Sequence, residues 1–217
     1  MVDRSFNSLV QRISIYAPGC PHPVIEQIVR DTAIKVCERT LAWRYEQPSI
    51  RLTPGVYDYP YEVPRGSEVH AVLSCTVNGK TVNPITIEDI HHRYPDWPNT
   101  DISKRSTPKF VLQLDVDNFM IAPVPDDSEK YDLRMVVALK PLRDSSDMNR
   151  TALDDLEDVI KHGTLERLLT MPDKPWSDNT LALYHARQFL AQTTERRARA
   201  NLGAGRASMS VRMNPMA

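Results

Sequence analysis

The chain has 217 residues, of which 41% are hydrophobic and 25% are charged, and its formal net charge is −1 at pH 7. This composition is typical of a folded globular protein, and the length allows one or two domains. The longest unbroken apolar run, at residues 135–139, is far shorter than the ~20 residues that a membrane helix needs, so we expect no membrane partner. Three widely separated cysteines form no disulfide framework, and they indicate synthesis in a reducing cytoplasm.

Two helices are predicted before residue 48. Apolar residues recur at helical spacing from Ile25 to Trp43, after a proline, Pro23, that a first helical turn tolerates. A second apolar row beside the first one predicts that this helix packs on two sides. A shorter amphipathic helix is predicted at residues 6–15, and Pro18 and Gly19 end it.

Residues 48–142 change in character, because recurring prolines exclude long helices there. Asn78-Gly79 predicts a hairpin with a type I′ turn, and residues 115–118 predict a second hairpin. This part of the chain is therefore interpreted as a compact antiparallel β module, sandwich-like or barrel-like. Its predicted strands cover residues 56–63, 69–77, 110–114, 119–122 and 133–139.

Helical spacing returns after the β module. Thr151 and Asp154 resemble a capping box in front of a leucine-rich helix, which Pro172 and Pro175 end. The last helix is predicted to start at Trp176 or Ser177, and its apolar residues include Leu183, Phe189 and Leu190. The fold is thus an α+β fold, in which a helical bundle carries an inserted β module and an extended C-terminal tail. The predicted parts are the N-terminal helices (1–47), the β module (48–142), the C-terminal helix pair (143–200) and a basic tail (201–217).

Arginines concentrate at the C-terminal end of this nearly neutral chain. A basic tail is typical of an arm that binds nucleic acid, a membrane surface or an acidic protein face. The alternative is a solvated helix end, since arginine suits the negative end of the helix dipole. The arginines after Leu181 are Arg187, Arg196, Arg197, Arg199, Arg206 and Arg212.

Catalytic and metal-binding patterns are weak. Cys20 with His22, and His91 with His92, are possible metal ligands but lack the spacing of a zinc site. The carboxylates at residues 154–158 are accounted for by the positive end of a helix dipole. An acid/base pair within residues 88–96 is the enzymatic alternative, although no nucleophile motif accompanies it. We therefore expect no enzyme, no metal and no cofactor.

Several residues are candidates for a subunit or tail interface. Gly163 lies inside a helical pattern, where glycine costs ~1 kcal/mol relative to alanine. It predicts a close helix–helix approach, either within the chain or between subunits. The interface candidates are Tyr57, Tyr59, Tyr94, Trp97, Gly163 and Trp176.

The order of several short motifs resembles a known family. Among them are Tyr16-Ala-Pro-Gly-Cys-Pro, Gly55-Val-Tyr-Asp-Tyr, Tyr94-Pro-Asp-Trp, His162-Gly-Thr-Leu-Glu-Arg and Pro172-x-x-Pro-Trp. Each motif is turn or packing chemistry, and their order over almost the whole chain resembles the head-to-tail adaptor proteins of tailed bacteriophages. These are the connectors also called head completion proteins, and the chain is similar in plan to the podovirus tail tubular protein A.

The resemblance implies a structural virion protein rather than an enzyme. Such adaptors are helical bundles with a β insertion that form a ring, typically of twelve copies, beneath the portal. The ring extends the DNA channel, closes the filled head and presents a platform for the tail. The implied partners are further copies of the chain, the portal protein, a tail or nozzle protein, and passing genomic DNA that is not bound sequence-specifically. The implied location is the neck of a virion assembled in the host cytoplasm.

The arginine-rich end is interpreted as the element that docks on the portal. The alternative function is a DNA-binding protein that uses the same arm. A DNA binder would show salt-sensitive affinity for duplex DNA, whereas a connector would form rings with the portal and bind free DNA weakly. The residues assigned to portal docking are Arg196, Arg197, Arg199, Arg206 and Arg212.

Overall fold

The computed structural model describes residues 3–202, with side chains up to residue 200. Four of its helices lie towards the two ends of this part of the chain and most of its strands lie between them, and a short 3-10 turn lies at Ile102–Lys104. The helices are α1 (Asn7–Ser14), α2 (His22–Thr40), α3 (Ile87–Arg93), α4 (Arg150–Leu169) and α5 (Asn179–Leu202). The strands are β1 (Asp3–Ser5), β2 (Arg44–Glu46), β3 (Ile50–Leu52), β4 (Asp58–Pro60), β5 (Ser67–Val77), β6 (Lys80–Thr81), β7 (Asn83–Pro84), β8 (Phe110–Gln113), β9 (Asn118–Ala122), β10 (Tyr131–Pro141) and β11 (Asp147–Asn149).

The predicted α+β class is confirmed. One sheet has the order β2-β10-β5-β6, and β3 also pairs with β10. A second sheet has the order β4-β9-β8-β7, and β1 pairs with β11 in a small ribbon beside the helices. The chain passes from the first sheet to the second between β6 and β7, where Val82 is buried. The division of the chain into four parts stays a prediction.

The long strand β10 joins the helices to the β region. It pairs with β5 along nearly its whole length and with β2 and β3 on its other side. Helix α2 packs against β10, and Lys140 of the strand forms an ion pair with Glu38 of the helix at 2.7 Å. Because α2 also contacts α1, α4 and α5, the prediction that this helix packs on two sides is confirmed.

Local chemistry explains where several elements end. Asn78 and Gly79 both have positive φ, at 48° and 77°, which is the type I′ geometry that joins β5 to β6. The second predicted hairpin is also present, between β8 and β9. Helix α2 ends at Leu41, which takes the left-handed conformation, and the Leu41 backbone N–H donates to Cys37.

The starts of the two C-terminal helices differ from the prediction. Helix α4 is capped by Asn149, whose side-chain oxygen accepts from the Ala152 N–H at 3.1 Å, so Thr151 already lies inside the helix. Helix α5 begins after Asp178, whose carboxylate accepts from the Leu181 N–H at 2.9 Å. Asparagine and aspartate are strong caps, and in both helices they outcompete the residues that the sequence pattern favoured.

Two further differences concern the β region. The predicted module is antiparallel, but β7 pairs with β8 in parallel, because a crossover that contains α3 returns the chain to the same end of the sheet before β8 begins. Helix α3 also lies within the proline-rich part, where the Thr86 hydroxyl oxygen caps it by accepting from the Asp89 N–H at 3.2 Å. Prolines exclude long helices and still permit this two-turn one.

One hydrophobic core runs from the helices through both sheets. It includes Leu9 and Val36 of the helices, Met135 of β10 and Phe119 of β9. A second, smaller core lies under α3 and is centred on Ile90, Trp97 and Leu112. Within residues 3–202, none of the helices is long and apolar enough to cross a membrane.

Candidate assembly surfaces

The arginine-rich end of α5 is attached to the rest of the bundle. Arg196 forms an ion pair with Asp155 of α4, and an Arg197 Nη donates to the backbone oxygen of Arg39 at 3.4 Å. Arg199 pairs with Glu195 one turn earlier at 2.7 Å. These three arginines, predicted to belong to a docking tail, thus lie on a helix that contacts α2 and α4.

The other two arginines assigned to docking, Arg206 and Arg212, lie outside the described residues. So does the predicted tail beyond residue 202. The last described turns of α5 pass beside a cleft of about 680 Å³ between β2 and the start of α4. Arg44 lines this cleft and donates a hydrogen bond to the backbone oxygen of Ala200. The described end of α5 therefore lies next to this cleft.

The aromatic interface candidates of the β module lie around the second core. Trp97 is 7% exposed, and its indole N–H points to the Ile121 carbonyl oxygen at 3.4 Å. Tyr57 packs edge-on against Trp97 with 5.8 Å between ring centroids, and Tyr94 packs similarly on Phe110. Tyr57 and Tyr94 are half-buried. Packing within the chain accounts for all of these contacts.

Tyr59 is buried in the main core rather than offered to solvent. Its ring stacks on Phe119 at 5.8 Å, and its hydroxyl accepts from the Thr53 N–H at 2.9 Å. Burial raises the pKa of the Tyr59 phenol. The hydrogen bonds of this tyrosine close the turn that leads into β4.

Gly163 provides the predicted close approach, and the approach is within the chain. A Cβ built at Gly163 would lie 2.7 Å from a ring carbon of Phe189 on α5 and 2.8 Å from the methyl group of Thr32 on α2. Only glycine lets the three helices meet at this distance. The last interface candidate, Trp176, lies half-buried against the main core in the connection from α4 to α5.

Two histidines meet between α4 and α5. The Nδ1 atoms of His162 and His185 lie 2.8 Å apart, so one ring donates a hydrogen bond to the other. Desolvation by burial lowers the pKa of both rings, and the positive charge of Lys161 lowers them further. Asp158 acts in the opposite direction on His162. The pair is therefore neutral at neutral pH, and it serves as a polar contact inside the helix interface.

Several large apolar side chains remain exposed. On α5 the inward face consists of Ala182, His185, Phe189 and Thr193, so Leu183 and Leu190 point outward and are 62% and 64% exposed. The apolar residues predicted for this helix include both leucines, so the sequence pattern does not predict that they are exposed. The signal for the inward face is the helical spacing of Ala182, His185, Phe189 and Thr193, which follow one another at intervals of three or four residues. Because two of these four residues are polar, the row is not recognised as a buried face. The other exposed apolar residues are Tyr184 on α5, Ile15 and Tyr16 just after α1, Ile102 in the 3-10 turn, and Val56, Leu114 and Val116 in loops.

The family model of the SU10 adaptor protein matches residues 4–215. The chain belongs to the SU10 adaptor protein family. No curated protein matches it.

Family membership gives the chain a structural role as a phage adaptor, a component of the virion. This supports the class of protein that the motif order predicted. The finer likeness to the podovirus tail tubular protein A stays a prediction. The exposed surfaces of this adaptor therefore matter chiefly as places where other proteins bind.

Several of the residues considered for chemistry make structural contacts. The Asp89 carboxylate accepts a hydrogen bond from the Thr86 hydroxyl at the start of α3, and Asp96 forms an ion pair with Lys104 at 3.2 Å. His91 packs beside Trp97, and His92 is exposed. Burial raises the pKa of the Cys20 thiol. Throughout residues 3–202, no three His, Cys, Asp or Glu side chains are grouped to hold a metal ion.

Proposed function

We propose that this adaptor is a non-enzymatic ring subunit that sits beneath the portal, extends the DNA channel and presents a platform for tail or nozzle proteins. The observation that carries the proposal is the match to an adaptor family over nearly the whole chain. Exposed apolar residues just after α1, on α5 and at the β8–β9 hairpin support it, because large exposed apolar groups mark protein–protein contacts.

A ring follows from repeating one pair of unlike surfaces around an axis. We propose twelve copies, as in the adaptors that the chain resembles. The near-zero net charge suits a channel through which DNA passes, since many phosphate contacts would slow the DNA. The acidic residues between 126 and 158 are proposed to contribute to the channel lining.

The experiment that tests this proposal is a mass measurement of the chain alone and mixed with its portal protein. We expect a complex in which about twelve copies sit on one portal. A chain that stays monomeric in both samples would contradict the ring. Duplex DNA is added at low and high salt in parallel, and tight, salt-sensitive binding would favour the DNA-binding alternative.

Portal docking is assigned to the C-terminal segment. It carries Arg206 and Arg212 beyond the helix, and charge-assisted contacts of arginine with carboxylates are strong enough to order a chain segment. Deletion of residues 203–217 is expected to leave a folded protein that no longer binds the portal. A matched control replaces only Arg206 and Arg212 by glutamine, and it should weaken binding in part. Unchanged binding of the deletion variant would refute the docking role.

A further inference from the structure

The larger sheet has one edge, beyond β2 and β3, that no strand of residues 3–202 covers. β2 pairs with residues 136–138 of β10, and β3 pairs with residues 131–133. Both strands run antiparallel to β10 on the same side of it, and the short connection 47–49 joins them. They are therefore two parts of one interrupted edge strand. We name residues 44–52 the sheet edge.

The contacts of the sheet edge with β10 show which backbone groups face outward. The Trp43 carbonyl oxygen accepts from the Leu139 N–H at 2.8 Å. Further along, the Gln47 N–H donates to the Met135 carbonyl oxygen at 3.2 Å. Because the direction of hydrogen bonding alternates along a strand, the N–H and C=O groups of Glu46 point away from β10. This outer side is where a further strand can pair.

The cleft between β2 and the start of α4 opens beside the sheet edge. Trp43 lines the cleft, and since side chains alternate along a strand, Tyr45 lies on the same side of the sheet edge as Trp43. Ala152 and Leu156 of α4 also give the cleft apolar groups, and polar side chains such as Asp155 complete the lining. A strand added at the sheet edge can therefore direct every second side chain towards a partly apolar space of about 680 Å³.

The sequence after α5 has the pattern of such a strand. From residue 207 to residue 213, apolar and polar residues alternate strictly. This alternation is typical of a strand with one buried face, and methionine suits an irregular cleft because its side chain is flexible. We name residues 207–213 the strand segment. Its apolar members are Ala207, Met209, Val211 and Met213, and its polar members are Ser208, Ser210 and Arg212.

The end of α5 lies at the beginning of the sheet edge. Arg44, the first residue of β2, donates a hydrogen bond to the backbone oxygen of Ala200. Two glycines, Gly203 and Gly205, come between α5 and the strand segment, and glycine permits a sharp turn. The sheet edge extends from Arg44 towards Leu52, so a segment that enters beside Arg44 runs parallel to β2.

We infer that the strand segment adds to the sheet edge of its own chain, parallel to β2, with its apolar side chains in the cleft. Main-chain hydrogen bonds hold an added strand, and the short linker to α5 gives the segment a high effective concentration at the edge. The polar face of the added strand then points outward and carries both Arg206 and Arg212. The pairing does not rest on the proposed function, although it leaves these two arginines available for a portal.

Amide hydrogen exchange, measured by NMR on the chain alone, tests whether the outer side of the sheet edge is paired. The Glu46 N–H should exchange at least about tenfold more slowly in the full chain than in a variant that lacks residues 203–217. The Gln47 N–H is the internal control, because its bond to β10 is present in both proteins. Val211→Asp places a charge in the cleft and should act like the deletion, whereas Ser210→Asp places the same charge on the outer face and should not.

The reactivity of single introduced cysteines tests the alternation of the strand segment. Met209→Cys and Val211→Cys should react with a thiol reagent at least about tenfold more slowly than Ser208→Cys and Ser210→Cys, because only the first two point into the cleft. The three native cysteines are buried, so the unchanged protein supplies the background rate. Equal rates at all four positions would contradict an added strand.

A mixing experiment distinguishes the chain's own segment from that of a second copy. An isotopically labelled chain without residues 203–217 is mixed with an excess of unlabelled full chain. Its Glu46 N–H should stay unprotected, and protection there would assign the strand segment to the edge of another subunit. Equal exchange at Glu46 in the full chain and the deletion variant would overturn the pairing altogether. Because no portal is present, a failure of ring formation or portal docking leaves these results unaffected.

Discussion

The β module and the C-terminal helix pair use their apolar side chains in opposite ways. In the β module, the aromatic residues that the sequence singles out lie inside: Trp97 and Tyr59 are buried, and Tyr57 packs on Trp97. On α5, two leucines of an otherwise ordinary apolar row lie outside. The aromatic residues of the proline-rich stretch thus pack inside the chain, whereas the outer face of α5 keeps aliphatic residues exposed.

The difference has a physical basis. A small β module has little interior, so its large rings are needed to fill the space under α3 and between the sheets. A helix in a bundle buries only one stripe, and α5 fills its stripe with Ala182, His185, Phe189 and Thr193. Leu183 and Leu190 lie outside this stripe and remain exposed.

The largest expected effect is the loss of stability when a buried aromatic residue of the β module is removed. Trp97→Ala empties the second core and should lower the free energy of unfolding by about 3–5 kcal/mol. Leu190→Ser is the matched change on the outer face of α5, and it should stay within about 0.5 kcal/mol of the unchanged protein. Urea denaturation measures both. A stable Trp97→Ala variant that loses only its assembly would place Trp97 at an interface instead.

The second expected effect concerns the close packing of α4 against α5 and α2 at Gly163. Gly163→Ala places a methyl group against Phe189 and Thr32, and overpacking of this kind costs about 1–3 kcal/mol. The better helix propensity of alanine offsets about 1 kcal/mol of that cost. In the background Phe189→Leu, which opens space, the same alanine should cost less. Equal costs in both backgrounds, measured by thermal unfolding, would contradict the packing described here.

The third effect concerns pH and the two histidines. Burial lowers the pKa of His162 and His185 below 6.5, so the unfolded chain binds more protons than the folded one as the pH falls through and below that value. The protein should therefore lose stability from about pH 7 to about pH 5. His162→Gln with His185→Gln should flatten this part of the curve. An unchanged slope would show that other groups carry the pH dependence.

The smallest effect is expected at the end of α5. Arg196→Gln removes an ion pair with Asp155 at the surface, and such pairs contribute about 0–1 kcal/mol. Thermal unfolding should change little, while binding to the portal reports on docking separately. Lys174→Gln removes a charge from the connection between α4 and α5 and serves as the control. A large loss of stability in Arg196→Gln would mean that the arginine serves mainly to hold the helix.

Local patterns predicted most of the elements. The type I′ hairpin at Asn78-Gly79 and the helix from His22 to Thr40 follow from residue chemistry within a few positions. The pairing of β2 and β3 with β10 could not be predicted, because it joins segments about 80–90 residues apart through tertiary packing. Very short strands such as β6 and β7 carry no periodic signal of their own.

The candidate surfaces were harder to predict than the fold. Gly163 was correctly read as a close approach, but only the structure shows that Phe189 and Thr32 are its neighbours. The inward face of α5 contains a histidine and a threonine, so a hydrophobic pattern assigns the wrong stripe to the core. Which α5 residues are exposed depends on which side of the helix packs against α2 and α4, and the sequence alone does not specify that side.

The position of β10 in the chain has a consequence for synthesis. Strands β2, β3 and β5 and helix α2 all emerge from the ribosome before their common partner at Tyr131–Pro141. Until that strand is translated, the nascent chain exposes the unpaired edges of three strands and the apolar face of a helix. Folding of the larger sheet is therefore completed late in translation, and a chain truncated before residue 131 would be prone to aggregation rather than half folded.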